Sequence, residues 1–417
     1  MAFSSQVGKF QLDTGLSNQS ITGVGFQPKA IIFFGASVGV LPLTTGTMLF
    51  TFGMAVSSTS RMAMSVCSDD AVATSAAARR NDNTKCYTAI NPTGTVLRAF
   101  DFVSFDADGF TIDLTTNDND RPIIAYIALG GDDLTNASIV QFTAGGAGAQ
   151  AVTGAGFQPD AVLFFSANIE SAPPVTTTAS LMTMGWATAS AQGSLGLVSL
   201  NGQAAAATSH GQTDDQCYLA VLSDAVYRAA TLDSMDADGF TVTWTTGVAN
   251  ARIWALCLKG ITVAAGSFNQ PSTTGNQNIT ATSVTPQLVL VMSANDASNS
   301  DGEANLSISF GAATSSSARH SCWCGDNDAA DPMQADRDQD DTALIKYFTP
   351  GTPTQVAEAD FGSFDQNSFT INWSSVDATA RIGLFLVMGA AASASVPIHF
   401  GQVGGMIPQP PIGVISY

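Results

Sequence analysis

Short runs of alternating apolar and polar residues recur along the chain, separated by Gly, Asn, Asp and Pro. In residues 104–114, an Asp-Ala-Asp-Gly sequence separates two such runs. Alternation with a period of two is typical of a strand with one buried face, and Asp-Gly is a strong hairpin signal. This stretch therefore predicts a strand, a tight turn and a second strand. The chain has no long apolar stripe of helical period, so the pattern predicts an all-β fold.

The same pattern returns twice at a nearly constant distance. It begins at position 104, again at 234 and again at 363, the last time with Asn-Ser in place of Asp-Gly. A second motif, Gly-Xaa-Gly-Phe-Gln-Pro, precedes an apolar run at residues 23–28 and again at 154–159. A fixed period of this length indicates one domain present in three copies, not a solenoid of small repeats.

The repeat predicts three tandem β-sandwich domains, at residues 1–132, 133–262 and 263–390, of which the third is divergent. A jelly roll and another Greek-key arrangement are both open for the sheets. The linkers are short and not rich in Pro or Ser, which favours packed neighbours. Three similar domains can then close a pseudo-threefold ring, with a linear string as the alternative. An uncharged Pro-rich tail follows from Ala391 to Tyr417, and we expect it to extend over its own body or dock along another subunit.

Two details of the copies refine this prediction. Residues 30–34 form a continuous apolar run, which predicts a strand covered on both faces. A later strand holds Gly53, and the second and third copies place Gly185 and Gly311 at the matching positions. Residues 69–84 are polar and predict a long excursion outside the sheets.

Composition narrows the classes of function. Charged residues make up only 12% of the chain. The usual share in globular proteins is roughly 25%. Such a composition suits a strand-rich protein in a large assembly. The net charge of −19 disfavours nucleic-acid binding, which needs cations to neutralise phosphates. The beginning of the sequence has no secretory pattern, and the uncharged run at 382–398 aligns with a closing strand, so we expect no membrane insertion.

The six cysteines fit reduced core thiols of a protein made in a cytoplasm. Cys86 and Cys217 occupy matching positions in apolar strands. Cys322 and Cys324 are two residues apart, so both thiols are predicted to lie on the same face of a strand. No Cys-Xaa-Xaa-Cys pair is present, which disfavours zinc.

An acidic stretch at residues 325–341 escapes the repeat and is interpreted as a solvated loop. Alternatives are an interface to a basic neighbour and a Ca²⁺ site, since oxygen ligands at close spacing suit this ion. The candidate ligands are Asp326, Asp328, Asp331, Asp336 and Asp338. The stretch has no Ca²⁺-loop arrangement of a turn glycine and a terminal Glu, and the sequence predicts no cofactor. The paired aspartates at 106 and 108 are interpreted as turn residues.

Catalytic signals are weak. His210, His320 and His399 lie in no recurring motif, and no hydrolase, metalloprotease, phosphate-binding or dinucleotide fingerprint is present. The sequence therefore predicts a protein that is not an enzyme. A glycosidase needs only two carboxylates, so a carbohydrate-active protein remains an alternative.

The motif Gly-Phe-Gln-Pro-Xaa-Ala before a double Phe, and Ser-Phe-Asp-Ala-Asp-Gly-Phe-Thr before a closing strand, resemble those of repeat-containing structural proteins of tailed bacteriophages. The resemblance covers most of the first two copies and assigns no site residues. It implies a virion protein on the particle surface, made in the bacterial cytoplasm: a fibre, spike or tail component that contacts the host. A capsid decoration protein is the alternative, and a carbohydrate-binding or carbohydrate-active protein is the second. The implied partners are other virion proteins, through the tail, and a host surface glycan.

Overall fold

The structure, a computed structural model, describes residues 3–247 and 249–392, and these residues form an all-β fold. Six antiparallel sheets, three of seven strands and three of four, account for the strands, and the described residues contain no helix. The predicted fold class is thus confirmed. Residues 393–417, which make up nearly all of the predicted tail, lie outside the described part.

Three consecutive groups of eleven strands, called units here, have the same internal order. The first unit consists of β1 (Phe3–Gln11), β2 (Asn18–Thr22), β3 (Pro28–Gly35), β4 (Leu43–Gly46), β5 (Met48–Ala55), β6 (Arg61–Ser68), β7 (Ala77–Asp82), β8 (Tyr87–Ile90), β9 (Val96–Asp106), β10 (Gly109–Thr116) and β11 (Ile123–Gly131). One sheet has the order β1-β11-β3-β5-β6-β7, and the other has the order β2-β10-β9-β8.

The second unit repeats this order in both sheets. It consists of β12 (Asn136–Thr143), β13 (Gly148–Thr153), β14 (Ala161–Ser166), β15 (Val175–Thr178), β16 (Ser180–Thr188), β17 (Gln192–Ser199), β18 (Thr208–Thr213), β19 (Tyr218–Val221), β20 (Val226–Asp236), β21 (Gly239–Thr246) and β22 (Arg252–Lys259).

The third unit does the same despite its divergent sequence. It consists of β23 (Thr262–Asn269), β24 (Gly275–Thr280), β25 (Val284–Ser293), β26 (Ser300–Ala304), β27 (Leu306–Ser315), β28 (Ala318–Asp326), β29 (Ala335–Asp340), β30 (Ile345–Thr349), β31 (Thr354–Asp365), β32 (Ser368–Ser375) and β33 (Ile382–Ala391).

Each larger sheet gains its seventh strand from a different unit. The fourth strand of a unit, called its arm here, leaves the unit's own sheets: β15 pairs with β7, β26 pairs with β18, and β4 pairs with β29. The second unit thus completes the first, the third completes the second, and the first completes the third. This exchange closes the chain into a ring of pseudo-threefold connectivity, and each arm covers a sheet edge that would otherwise be open.

The central strands of the larger sheets, such as β3 and β5, are buried on both faces, as the apolar run at 30–34 predicts. In β3, Phe34 belongs to a central core shared by all three units, whereas Phe33 packs between the two sheets of its own sandwich. In the second unit, Phe165 belongs to the central core and Phe164 packs between the two sheets of the sandwich. The double Phe therefore bridges two cores, because adjacent residues of a strand point to opposite faces.

Three loops, called the apical loops here, join the units at one end of the central core. They occupy residues 69–76, 200–207 and 327–334, directly after β6, β17 and β28. Backbone hydrogen bonds connect each loop to both others: Ser75 N to Gln203 O (2.9 Å), Gly202 N to Ser75 O (2.7 Å), Ala206 N to Ala330 O (3.0 Å), Ala329 N to Ala206 O (2.8 Å), Ala71 N to Met333 O (2.8 Å) and Met333 N to Val72 O (2.9 Å).

Two sequence-based interpretations were wrong at this end of the molecule. The acidic stretch at 325–341 does not escape the repeat, because β28 and β29 occupy the positions of β6 and β7 in their sheet. The predicted excursion at 69–84 likewise contains β7. Polar side chains conceal both strands in the sequence. β7 buries Asn81 and Asp82, and β29 buries Asp338 and Gln339, so neither strand shows the alternation of apolar and polar residues that is typical of a half-buried strand.

Candidate functional site at the joint between the second and third units

A cavity of about 300 Å³ lies where the arm of the third unit meets the sheet of the second. Its walls come from β18, from the arm and its flanks, from the end of β30 and from the residue before β33. The chemically active side chains in its lining are His210, Asp296, Glu303 and Arg381. The cavity thus combines two cationic and two acidic residue types at a junction between units.

The buried His210 connects the two sides of this joint. Its Nδ1 lies 2.7 Å from the carbonyl oxygen of Asn305, and its Nε2 lies 3.0 Å from Oδ1 of Asp296. Both partners are acceptors, and a neutral imidazole has only one N–H, so only the imidazolium satisfies both contacts. Burial opposes this charge, but the hydrogen bond and charge of Asp296 prevail and raise the pKa of His210 above its usual range.

The other two joints have an arginine at the position of His210. Arg79 in β7 donates to the carbonyl oxygens of Thr178 (3.0 Å) and Ala179 (3.1 Å), and Arg337 in β29 donates to that of Thr47 (2.8 Å). In each case the acceptor carbonyl lies at the C-terminal end of the bound arm. A cationic side chain therefore clasps every arm. A comparison of the three copies at this position was the sequence signal that could have found these residues, and it was missed.

The joint between the first and second units has its own cavity, of about 320 Å³. Its lining includes Arg79, Asn168, Glu170 and Tyr227. Behind it, the fully buried Arg228 donates to Oδ1 of Asn168 (3.1 Å) and to Oε1 of Glu170 (3.3 Å). Hydroxyl, amide and carboxylate groups thus line both joints, which equips them for hydrogen bonding to a polar ligand.

The five candidate Ca²⁺ ligands lie in different surroundings. Asp326 ends β28 and is buried, Asp336 and Asp338 are buried on β29, Asp328 accepts a hydrogen bond from the backbone of Thr208, and Asp331 is exposed. Within residues 3–247 and 249–392, no group of three or more His, Cys, Asp or Glu side chains is arranged to hold a metal ion.

Two of the buried carboxylates face a buried lysine. Lys346 in β30 forms an ion pair with Asp340, and its Nζ lies 3.9 Å from Oδ2 of Asp338. Burial raises the pKa of Asp338 to about 6, although Lys346 opposes this. Burial acts on Asp340 too, but its hydrogen bond from Lys346 prevails and lowers its pKa. These carboxylates are thus part of the packing.

The paired aspartates of the hairpin are turn residues, as interpreted from the sequence. Asp106 accepts hydrogen bonds from the hydroxyls of Ser104 (2.8 Å) and Thr111 (2.7 Å), which closes the β9–β10 turn. Asp236 does the same in the second unit, and the hydrogen bonds from Thr241 and Ser234 lower its pKa.

The remaining histidines and the thiols do not form a nucleophilic site in the described residues. His320 is buried against Phe34, its Nε2 contacts Gln339, and burial lowers its pKa to about 4. His399 lies outside the described residues. All six cysteines are free and buried, as predicted, and burial raises the thiol pKa of Cys67 and Cys257 to about 12.

The sequence matches no protein-family model and no curated protein significantly. Among the described residues there is no helix that is both long and apolar enough to span a bilayer.

Proposed function

We propose that this protein is a structural component of a bacteriophage particle, displayed on the particle surface as a fibre, spike or tail component that contacts the host. The observation that carries the proposal is the cyclic exchange of arms. One chain reproduces the closed ring that three separate subunits of a trimer would form. Such a ring suits a component that must bear load without dissociating.

The packing supports a role in contact and not in turnover. The central core draws on all three units, so separating them would expose apolar surface from every larger sheet. In the joint cavity, both ring nitrogens of His210 already have acceptors, which leaves neither of them to remove a proton from a substrate.

For attachment, the partner that we propose is a glycan of the host surface. Sugars are bound through hydroxyl groups, which pair with amide, carboxylate and guanidinium side chains. The two joint cavities present these groups in volumes of about 300 and 320 Å³. This observation also favours the carbohydrate-binding alternative, in which the protein acts outside a particle.

Capsid decoration is the second candidate for a particle protein. A ring of pseudo-threefold connectivity fits a threefold position of a shell, where three similar surfaces meet three equivalent neighbours. The uncharged tail from Ala391 to Tyr417 is the segment that we propose docks on another virion protein.

Particles from a strain in which the gene is deleted test the proposal. We expect the protein in purified wild-type particles, and slower adsorption to host cells by the mutant particles with unchanged retention of DNA on heating. Normal adsorption with early DNA release would assign the decoration role instead. Absence of the protein from purified wild-type particles would refute both roles, and a glycan array with the purified chain would then test the carbohydrate-binding alternative.

A further inference from the structure

The three arm joints are alike in geometry but differ in the residue that clasps the arm. Thr47, Ala179 and Asn305 end or follow the three arms with positive φ angles of 65°, 65° and 72°. This shared conformation turns each carbonyl toward the neighbouring unit. Arg337 donates a hydrogen bond to the carbonyl of Thr47, and Arg79 donates one to that of Ala179. The carbonyl of Asn305 is contacted by His210 instead. Burial lowers the pKa of Arg79, but only to about 10, so this arginine still carries its proton at neutral pH, whereas a histidine can lose its proton there.

The imidazole is held between two acceptors that belong to the third unit. Asn305 follows the arm, and Asp296 precedes it in the loop after β25, so His210 holds the arm at both of its ends. Oδ2 of Asp296 accepts a hydrogen bond of 2.7 Å from the hydroxyl of Ser300, at the start of the arm. Loss of one imidazole proton would therefore place a nitrogen lone pair against an oxygen, and the fixed partners cannot rotate to supply a hydrogen.

The charged groups around His210 support the imidazolium. Glu303 is its register partner on the arm, and Asp296 faces it from the preceding loop. Arg381 lines the same cavity from the segment before β33, and its charge is offset by the ion pair with Asp377. Carboxylates therefore prevail around the ring, in line with the raised pKa of His210 described above.

We propose that the joint between the second and third units is a proton-operated clasp, in which His210 holds the arm β26 while protonated and releases it when the proton is lost. The two arginine clasps remain closed, so the ring loosens at a single joint. This inference does not depend on the proposed function.

The direction of the pH effect follows from the pKa shift. The pKa of His210 is raised with the arm bound. It returns toward its usual value, about 6.5, when the arm is free. The bound arm is therefore stabilised fully below the usual pKa, and this stabilisation disappears as the pH rises through the raised pKa. Release, as the pH rises through this raised pKa, exposes the edge of β18 and the backbone of the arm.

Hydrogen exchange of the arm amides, corrected for the intrinsic pH dependence of exchange, tests the clasp within one molecule. Between pH 6 and pH 9, we expect the protection of β26 amides to fall by about tenfold or more, the effect of losing a charged hydrogen bond. The amides of β15, held by Arg79, are the internal control and should keep their protection.

Two variants separate the clasp from a general effect of pH. His210→Arg restores the residue type of the other joints and should make the protection of β26 independent of pH. Asp296→Asn should move the loss of protection to lower pH, and the NMR titration of the imidazole should shift with it. Equal pH dependence of β15 and β26, or a pH dependence of β26 that survives in His210→Arg, would overturn the proposal.

Discussion

The carboxylate of Asp108 accepts a hydrogen bond from the backbone N–H of Gly25, with 2.6 Å between Oδ1 and nitrogen. Gly23 donates to the other oxygen of the same carboxylate, at 3.1 Å. The two recurring motifs of the sequence are therefore partners: the glycine loop before β3 binds the aspartate of the β9–β10 turn. Asp238 and Gly156 repeat the contact in the second unit, also at 2.6 Å.

The third unit predicts which substitutions this contact tolerates. There Asn367 replaces the aspartate, and its Oδ1 accepts from the backbone N–H of Ser283 at 2.8 Å. Asp108→Asn keeps one acceptor oxygen, whereas Asp108→Ala removes both. We therefore expect the asparagine variant to cost less than the alanine variant, which should lower the free energy of unfolding by about 1–2 kcal/mol. Urea unfolding measures both. Asp13→Ala, at an exposed aspartate, is the control, and an equal loss in Asp108→Asn and Asp108→Ala would contradict the hydrogen-bond explanation.

The periodicity of the sequence was sufficient to predict the fold class, but it did not predict the strand pairings between different units. Strand alternation, the long constant period and the double Phe led to the all-β fold and the two-faced strands. The arm β15 was not predicted, because its pairing with β7 links two different units and is not visible in a local pattern. Of the residues that form the candidate site, the sequence analysis singled out only His210, and it assigned this histidine no role. Its role depends on Asp296 and Asn305, which approach only when the ring closes.

The glycine matched across all three copies has a steric reason. A Cβ on Gly53 would lie 1.8 Å from the carbonyl oxygen of Cys86, and one on Gly185 or Gly311 would lie 2.1 Å or 1.7 Å from the matching carbonyl. The smaller sheet thus packs directly on the backbone of β5 and its counterparts. We expect Gly53→Ala to lower the free energy of unfolding by about 1–3 kcal/mol or more. Gly146→Ala, where a Cβ meets open space, should be close to neutral in the same thermal or urea unfolding experiment.

Lys346 neutralises two carboxylates that have little access to water. Asp338 and Asp340 are only 2% and 1% exposed. Lys346→Ala leaves them buried without their cation, so we expect a loss of about 3–5 kcal/mol in the free energy of unfolding at pH 7. The control is Lys9, a largely exposed partner of Asp341. Lys9→Ala should cost less than about 1 kcal/mol. Similar losses in the two variants would show that burial of the pair does not matter.

The closed ring predicts that a cut chain stays assembled. A protease site inserted after Asp132, between the first and second units, would leave the arms and the central core in place. We expect the two fragments to elute together in size-exclusion chromatography and to separate only on denaturation. Removal of residues 173–178, which carry the arm β15, leaves the arm β4 and the central core in place, so it should lower the urea concentration at which the cut fragments separate. Separation of the cut chain with its arms intact would contradict the ring.

The last prediction concerns three residues that meet beneath the apical loops. Ser68, Ser199 and Asp326 end equivalent strands, and the two hydroxyl oxygens lie 3.0 Å from each other and 2.8 Å from Oδ2 of Asp326. Two hydroxyl hydrogens cannot fill three contacts, whereas a protonated Asp326 supplies the third. Its Oδ1 is buried and makes no hydrogen bond within the described residues.

These contacts agree with the pKa of Asp326, which burial raises to about 7 against the hydrogen bonds from Ser199 and Ser68. The pKa of Asp326 in the folded protein lies above its ordinary value, so its protonated carboxyl group stabilises the fold. This contribution is complete below about pH 4 and is lost as the pH rises to about 7. The wild-type chain should therefore lose, from this group alone, on the order of 4 kcal/mol between pH 4 and pH 8. Asp326→Ser places the residue of the other two units at this position and removes the titration. The difference between the wild-type and variant unfolding free energies, measured by urea denaturation across this range, should change sharply with pH, and a constant difference would mean that Asp326 does not titrate in the folded protein.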